Sequence, residues 1–147
     1  MSESISTSSA PKPVGSYPHA KRVGNLLFLS GVGPRKAGSG NGDSVVPGLE
    51  INESGEVVKF DFEAQVHSVF ANVKAVLDAS GSSWDELVDV TVFLVNMERD
   101  FKTFNRIYAE YFPGDSESRP CRTTLEINCL PTPIAIELKC IATMKNK

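Results

Sequence analysis

Between Asp61 and Ser80, the apolar residues Val66, Val69, Phe70, Val73, Val76 and Leu77 recur at three- and four-residue spacings. That period gathers side chains into one stripe of an α-helix. Asp61 is suited to cap the first turn and Gly81 to stop the last. A helix with a single apolar stripe must cover another layer, so the residues that follow have to supply one. Ser82 to Glu86 reads as a short capped turn and Leu87 to Val95 as a β-branched strand. Asn96 to Asp100 leads into a second helix ending near Tyr111, with Phe101, Phe104, Ile107, Tyr108 and Tyr111 on one side as core.

The stretch from Arg119 to Ala142 supplies further strands. Thr123 to Asn128 and Ile134 to Ile141 are joined at Leu130-Pro131-Thr132-Pro133, whose prolines cannot sit inside a central ladder. Ile134, Ile136, Leu138 and Cys140 alternate with Ala135, Glu137, Lys139 and Ile141, which turns Glu137 away from the more apolar face. Arg122 opens the first of these strands, just after Pro120 has stiffened the backbone. Read as neighbouring strands, they bring Arg122 and Glu137 together at one end of a sheet, and this pair is the candidate site. The plain alternative is a solvated cross-strand ion pair worth under about 1 kcal/mol.

Upstream, Met1 to Pro13 is Ser-rich and aperiodic, which predicts a mobile tail ahead of a single domain over 14–147. Gly24-Asn25 between two short runs signals a two-residue hairpin within Tyr17 to Ser30, ended by Gly31 and Gly33. Pro34 to Gly48 is a Gly-rich exposed loop; it lacks the G-x-x-x-x-G-K-[ST] signature of a phosphate loop. Leu49 to Ile51 and Val57 to Phe60 form a small hairpin around Asn52-Glu53-Ser54-Gly55. The order strand, strand, strand, helix, strand, helix, strand, strand is an α+β layer, with two helices on one face of a mixed sheet. The other face stays partly apolar and uncovered, which predicts a closed homo-oligomer.

A chain of 147 residues with 41% hydrophobic content can bury a core as one domain. Its net charge of −3 and scattered Lys and Arg argue against a nucleic-acid partner. No run of about 18 apolar residues and no signal-peptide pattern is present, so the expectation is a cytoplasmic protein with no membrane association. Cys121, Cys129 and Cys140 lack C-x-x-C spacing and read as free thiols, and neither His19 nor His67 lies near them in sequence to activate one. No ligand cluster for a metal is apparent, and His67 reads as a boundary residue beside the apolar stripe.

Several segments carry a resemblance over Val14 to Ala142. They are Gly-Ser-Tyr-Pro-His-Ala with Val-Gly-Asn, Leu-Phe-Leu-Ser-Gly, Asn-Val-Lys-Ala-Val-Leu-Asp-Ala-Ser-Gly-Ser-Ser-Trp-Asp-Glu-Leu-Val, Val-Thr-Val-Phe-Leu, Asn-Arg-Ile-Tyr-Ala-Glu-Tyr-Phe and Arg-Pro-Cys-Arg-Thr-Thr-Leu-Glu-Ile. With these the chain resembles the YjgF/YER057c/UK114 family, also called the Rid (reactive intermediate deaminase) family. The resemblance implies a chorismate-mutase-like α+β fold and a homotrimer with active sites between subunits. It also implies that Arg122, in the Pro-x-Arg motif, binds the substrate carboxylate, that Glu137 positions or activates water, and that Tyr17 belongs to the site. A fork-shaped, permanently charged guanidinium suits the first of these tasks.

The segment Ser16-Tyr17-Pro18-His19-Ala20 departs from the Pro-Tyr-Ser-Gln-Ala of general imine deaminases and resembles the 2-aminomuconate deaminase branch. That implies a dicarboxylate enamine as substrate and 4-oxalocrotonate (2-oxohex-3-enedioate) as product, in aromatic-compound catabolism. His19, with Arg35 or Lys21, then holds the second carboxylate or moves a proton. The chemistry needs no cofactor and no metal. The other readings are a general 2-imino-acid deaminase and a trimeric binding or chaperone-like protein without turnover.

Overall fold

The computed structural model describes residues 2–38 and 45–145, so part of the predicted Pro34 to Gly48 loop, residues 39–44, lies outside the described residues. The first helix, α1 (Phe62–Ala79), follows its sequence pattern closely. Asp61 accepts a hydrogen bond from the Ala64 N–H at 3.2 Å, and Val66, Val69, Phe70, Val73, Val76 and Leu77 are all buried. At its other end Gly81 adopts φ +78°, while the Ser82 N–H bonds the Leu77 carbonyl and the Gly81 N–H the Asp78 carbonyl. That is a Schellman stop, for which a residue without Cβ is best suited.

A single 3₁₀ turn (Trp84–Glu86) leads to β6 (Leu87–Leu94), and Asn96 caps α2 (Met97–Tyr111) through the Arg99 N–H at 3.0 Å. The strands before α1 are β1 (Ser2–Ile5), β2 (Ala20–Val23), β3 (Leu26–Leu29), β4 (Leu49–Ile51) and β5 (Val57–Phe60); those after α2 are β7 (Cys121–Glu126) and β8 (Ile136–Thr143). The β2–β3 turn has Gly24 at φ +61° while no non-glycine is positive, as a II′ hairpin requires. Strands β4 and β5 form their own two-stranded sheet; the other six run in the order β1-β2-β3-β8-β6-β7, with β6 and β7 parallel. Both helices pack on one face of this sheet, where Phe70 meets Tyr111 at 4.4 Å between ring centroids and lies edge-on to Trp84.

Two expectations are corrected. Ser2–Ile5 is not a tail: it pairs with β2 through its backbone, which an edge strand does without an apolar side-chain pattern, and Ala10 is buried. Strands β7 and β8 are not neighbours either. Strand β6 lies between them, and the nine-residue connection from 127 to 135 crosses over it.

Candidate active site

Strand order decides where the two predicted site residues stand. Arg122 is level with Val90 on β6, whereas Glu137 is level with Phe93. Within one chain they are therefore two strand spacings apart, roughly 10 Å, and offset by three residues along the strands, roughly another 10 Å. They also point to opposite faces. Val90, Val92 and Leu94 are buried beneath the helices, so Arg122, level with Val90, shares the helix side. Ile136, Leu138 and Cys140 fill that same side, which leaves Glu137 on the open face. The expected meeting of Arg122 and Glu137 on adjacent strands does not occur within a protomer.

On the open face, Glu137 sits beside a break in β3. The ladder slips by one residue between Phe28↔Ile141 and Val32↔Leu138, so one extra residue is accommodated near Ser30-Gly31. Such bulges re-aim the chain beside functional groups. The Glu137 carboxylate lies on Gly31: a Cβ there would meet Glu137 Cδ and Oε2 at 2.9 Å. No hydrogen bond or ion pair engages the carboxylate among the described residues, and burial pushes its pKa above the ordinary range. Gly31 was read from sequence only as the end of a strand. The paired glycines Gly31 and Gly33 immediately after an apolar strand were the available hint of a close approach.

The same cleft is lined by Tyr17, His19, Ser30, Gly31, Arg35 and Glu137, with a wall from the N-terminal segment at Ala10, Pro11 and Pro13. Tyr17 is half-exposed, its ring packed against Gly15. His19 is more constrained. Its Nδ1 accepts from the Thr7 N–H at 3.2 Å, which leaves Nε2 protonated to donate to the Pro11 carbonyl at 2.8 Å. Any proton transfer by His19 must open one of these bonds. Arg35 is 8% exposed; its Nη2 donates to the Lys12 carbonyl at 2.6 Å, and its own carbonyl is held by Asn72 Nδ2. Lys21 lies on β2, its side opposite Phe28, and is exposed.

Arg122 stands on the other side of the sheet. Its Nη2 donates to Asn105 Oδ1 at 2.7 Å, and its guanidinium carbon lies 4.7 Å from the Tyr108 ring centroid and 5.4 Å from that of Phe104. The aromatic faces hold the cation in place without neutralising it. Asn105, which fixes this geometry from α2, opens the Asn-Arg-Ile-Tyr-Ala-Glu-Tyr-Phe segment, but nothing in that segment marked it as a site residue. Among the described residues, no group of three or more His, Cys, Asp or Glu side chains could hold a metal ion, and no helix is long and apolar enough to cross a membrane. Cys140 is buried, which pushes its thiol up to about 12, while Cys121 and Cys129 are exposed.

Comparison with known proteins agrees with this architecture along its length. A RutC family protein of Pyrococcus horikoshii is 39% identical over 142 residues, covering 97% of this chain and 98% of its own. The chloroplastic Reactive Intermediate Deaminase A of Arabidopsis thaliana is also 39% identical, over 97% of this chain and 66% of its own. Among solved structures, E. coli TdcF with bound serine superposes with a TM-score of 0.78 at 26% identity, covering 97% of this chain and 99% of that one. The model of the Endoribonuclease L-PSP family matches residues 7–144, and the chain belongs to that family, the YjgF/Rid group its motifs resemble.

Proposed function

We propose that this protein is a cofactor-independent deaminase that hydrolyses enamines and imines to 2-oxo acids and ammonia, with 2-aminomuconate as its substrate. The observation that carries the reading is the Glu137 carboxylate: half-buried, without a partner among the described residues, raised in pKa and held against Gly31 in a cleft it shares with Tyr17. A carboxylate with free lone pairs and increased proton affinity suits general base catalysis near neutral pH. The Arabidopsis relative's name supports imine deamination, and TdcF's bound serine supports a site for small carboxylates.

The enamine first takes a proton on carbon to become an imine, with Tyr17 or His19 as donor. Glu137 then removes a proton from water as its oxygen bonds the imine carbon. The resulting carbinolamine collapses: Glu137 returns its proton to the nitrogen, the C–N bond breaks and ammonia leaves, and the hydroxyl proton passes back to the deprotonated Tyr17 or His19 as the carbonyl forms. Arg122 anchors the carboxylate beside the reacting carbon. Arg35 and His19 form a wall beside Glu137, where their hydrogen bonds to the N-terminal segment hold them off the second carboxylate. Because Arg122 and Glu137 face opposite sides of one sheet, the complete site is formed by a second copy, as in a closed trimer in which the β7 edge carrying Arg122 of one copy meets the open face of the next. A small-molecule carboxylate and the chain itself are then the partners.

A general 2-imino-acid deaminase is the second reading, favoured by the Arabidopsis relative's name. Ammonia release from fresh 2-aminomuconate and from 2-iminopropionate separates the two. Faster turnover of the dicarboxylate supports the first; faster turnover of the simple imine supports the second. No ammonia from either substrate would replace both with a binding function.

A further inference from the structure

On the Glu137 side, neither His19 nor Arg35 is free to close on an incoming carboxylate. Both His19 nitrogens hold backbone groups, and Arg35 is buried with its guanidinium on the Lys12 carbonyl. The Arg122 side differs. Asn105, Tyr108, Ser116, Arg119 and Arg122 line an open cleft there, and no acidic side chain is among its lining residues. Neither arginine takes part in the ion pairs of the described residues. Arg119 is exposed and makes one tie, from Nη2 to the Gly114 carbonyl at 3.0 Å. The acids closest to it in sequence, Asp115 and Glu117, do not line the cleft, and Asp115 is engaged by Ser118. Burial raises the Tyr108 hydroxyl, and the charges of Arg122 and Arg119 both oppose that rise.

We propose that Arg119 is the substrate-binding residue that reads the second carboxylate and gives the Arg122 site its preference for dicarboxylates over monocarboxylates. The assignment rests on the reading of Arg122 as the carboxylate anchor. Three residues of extended chain separate the two Cα atoms by at most roughly 10 Å, a span on the scale of a six-carbon diacid. Pro120 stiffens the backbone between them. Asn105 Oδ1 is committed to Arg122, so at this cleft Asn105 has only its amide N–H donors left to offer beside the two guanidinium groups. A cleft of two cations in a chain of net charge −3 favours a dianion, and an exposed arginine can fold onto it as a bidentate donor.

The test compares binding of muconate with that of sorbate, the matching six-carbon dienoate that lacks one carboxylate, by calorimetry on the full chain. Loss of one charge-assisted contact in a partly exposed cleft predicts that Arg119→Gln weakens muconate about tenfold while sorbate stays within about twofold. Arg119→Lys should recover part of the loss. Equal weakening of both ligands, or none, would overturn the assignment and leave Arg119 as a tie to Gly114. Loss of muconate preference in Arg35→Gln but not in Arg119→Gln would overturn it in favour of the buried arginine. The anchor is tested apart: Arg122→Ala should lose both ligands, and unchanged binding of both would refute the Arg122 reading, and with it this one.

Discussion

The two faces of the main sheet handle charge in opposite ways. On the open face, Glu137 is a desolvated carboxylate pressed on a glycine, with no hydrogen bond to it among the described residues, inside a cleft where His19 and Arg35 are tied to the N-terminal segment. On the helix face, Arg122 is held by an amide and two aromatic rings and opens to a cleft with a second cation. In the proposed reading, the first region holds a proton in balance and the second holds an anion in place. One protomer contains both halves yet separates them by the sheet itself, which is why a second copy enters the proposed mechanism.

Breaking either half should be costly, and breaking the first most of all. Glu137→Gln keeps the shape and removes the base, so kcat should fall about 10²–10⁴-fold with the fold intact by circular dichroism. Arg122→Ala should lower kcat/KM about 10²–10³-fold through lost anchoring and positioning. Retention of more than a tenth of wild-type activity in either variant would undo the corresponding role.

Gly31→Ala sharpens the comparison because Gly31 has no positive φ, so alanine carries no backbone penalty there and its effect must come from its methyl group. Displacing the carboxylate by a contact at 2.9 Å should lower kcat about tenfold while KM changes little. An unchanged kcat would mean that the seat on Gly31 is incidental.

The smallest effect is on stability. Because burial raises the folded-state pKa of Glu137, the folded chain binds its proton more tightly than the unfolded chain. The contribution is therefore fully present below the unfolded carboxylate pKa and is lost as pH rises through the folded one. Glu137→Gln should accordingly be slightly more stable than wild type at pH 7, by under about 1 kcal/mol given the solvent reaching this half-exposed group, with the gap closing below pH 4. Thermal melts at the two pH values check the sign. A variant less stable at pH 7 than wild type would contradict the desolvated carboxylate.

Both helices, the β2–β3 hairpin and the α+β layering were legible because each rests on local periodicity, caps or turn residues. What local pattern cannot carry was misread. Strands β7 and β8 are consecutive in the chain, but which strands pair is decided by packing across the sheet, and β6 takes the place between them. Ser2–Ile5 looks like a tail because an edge strand can be held by backbone bonds alone. Arg122, Glu137 and Tyr17 were singled out by motif resemblance, since their spacing alone fits an ordinary ion pair. Gly31 and Asn105 depend on contacts between distant segments, which no single stretch of sequence encodes, and Arg119 becomes meaningful only through the cleft that α2 completes beside Arg122.

The most direct test of a site shared between copies is complementation. Arg122→Ala and Glu137→Gln, each inactive alone, are mixed in equal amounts, unfolded and refolded together, and assayed for ammonia release from 2-aminomuconate. If each site takes Arg122 from one copy and Glu137 from another, random assembly restores about a quarter of the wild-type activity, because one site in four receives both intact residues. If the mixture stays as inactive as its components, the two residues do not meet across copies and the shared site is wrong.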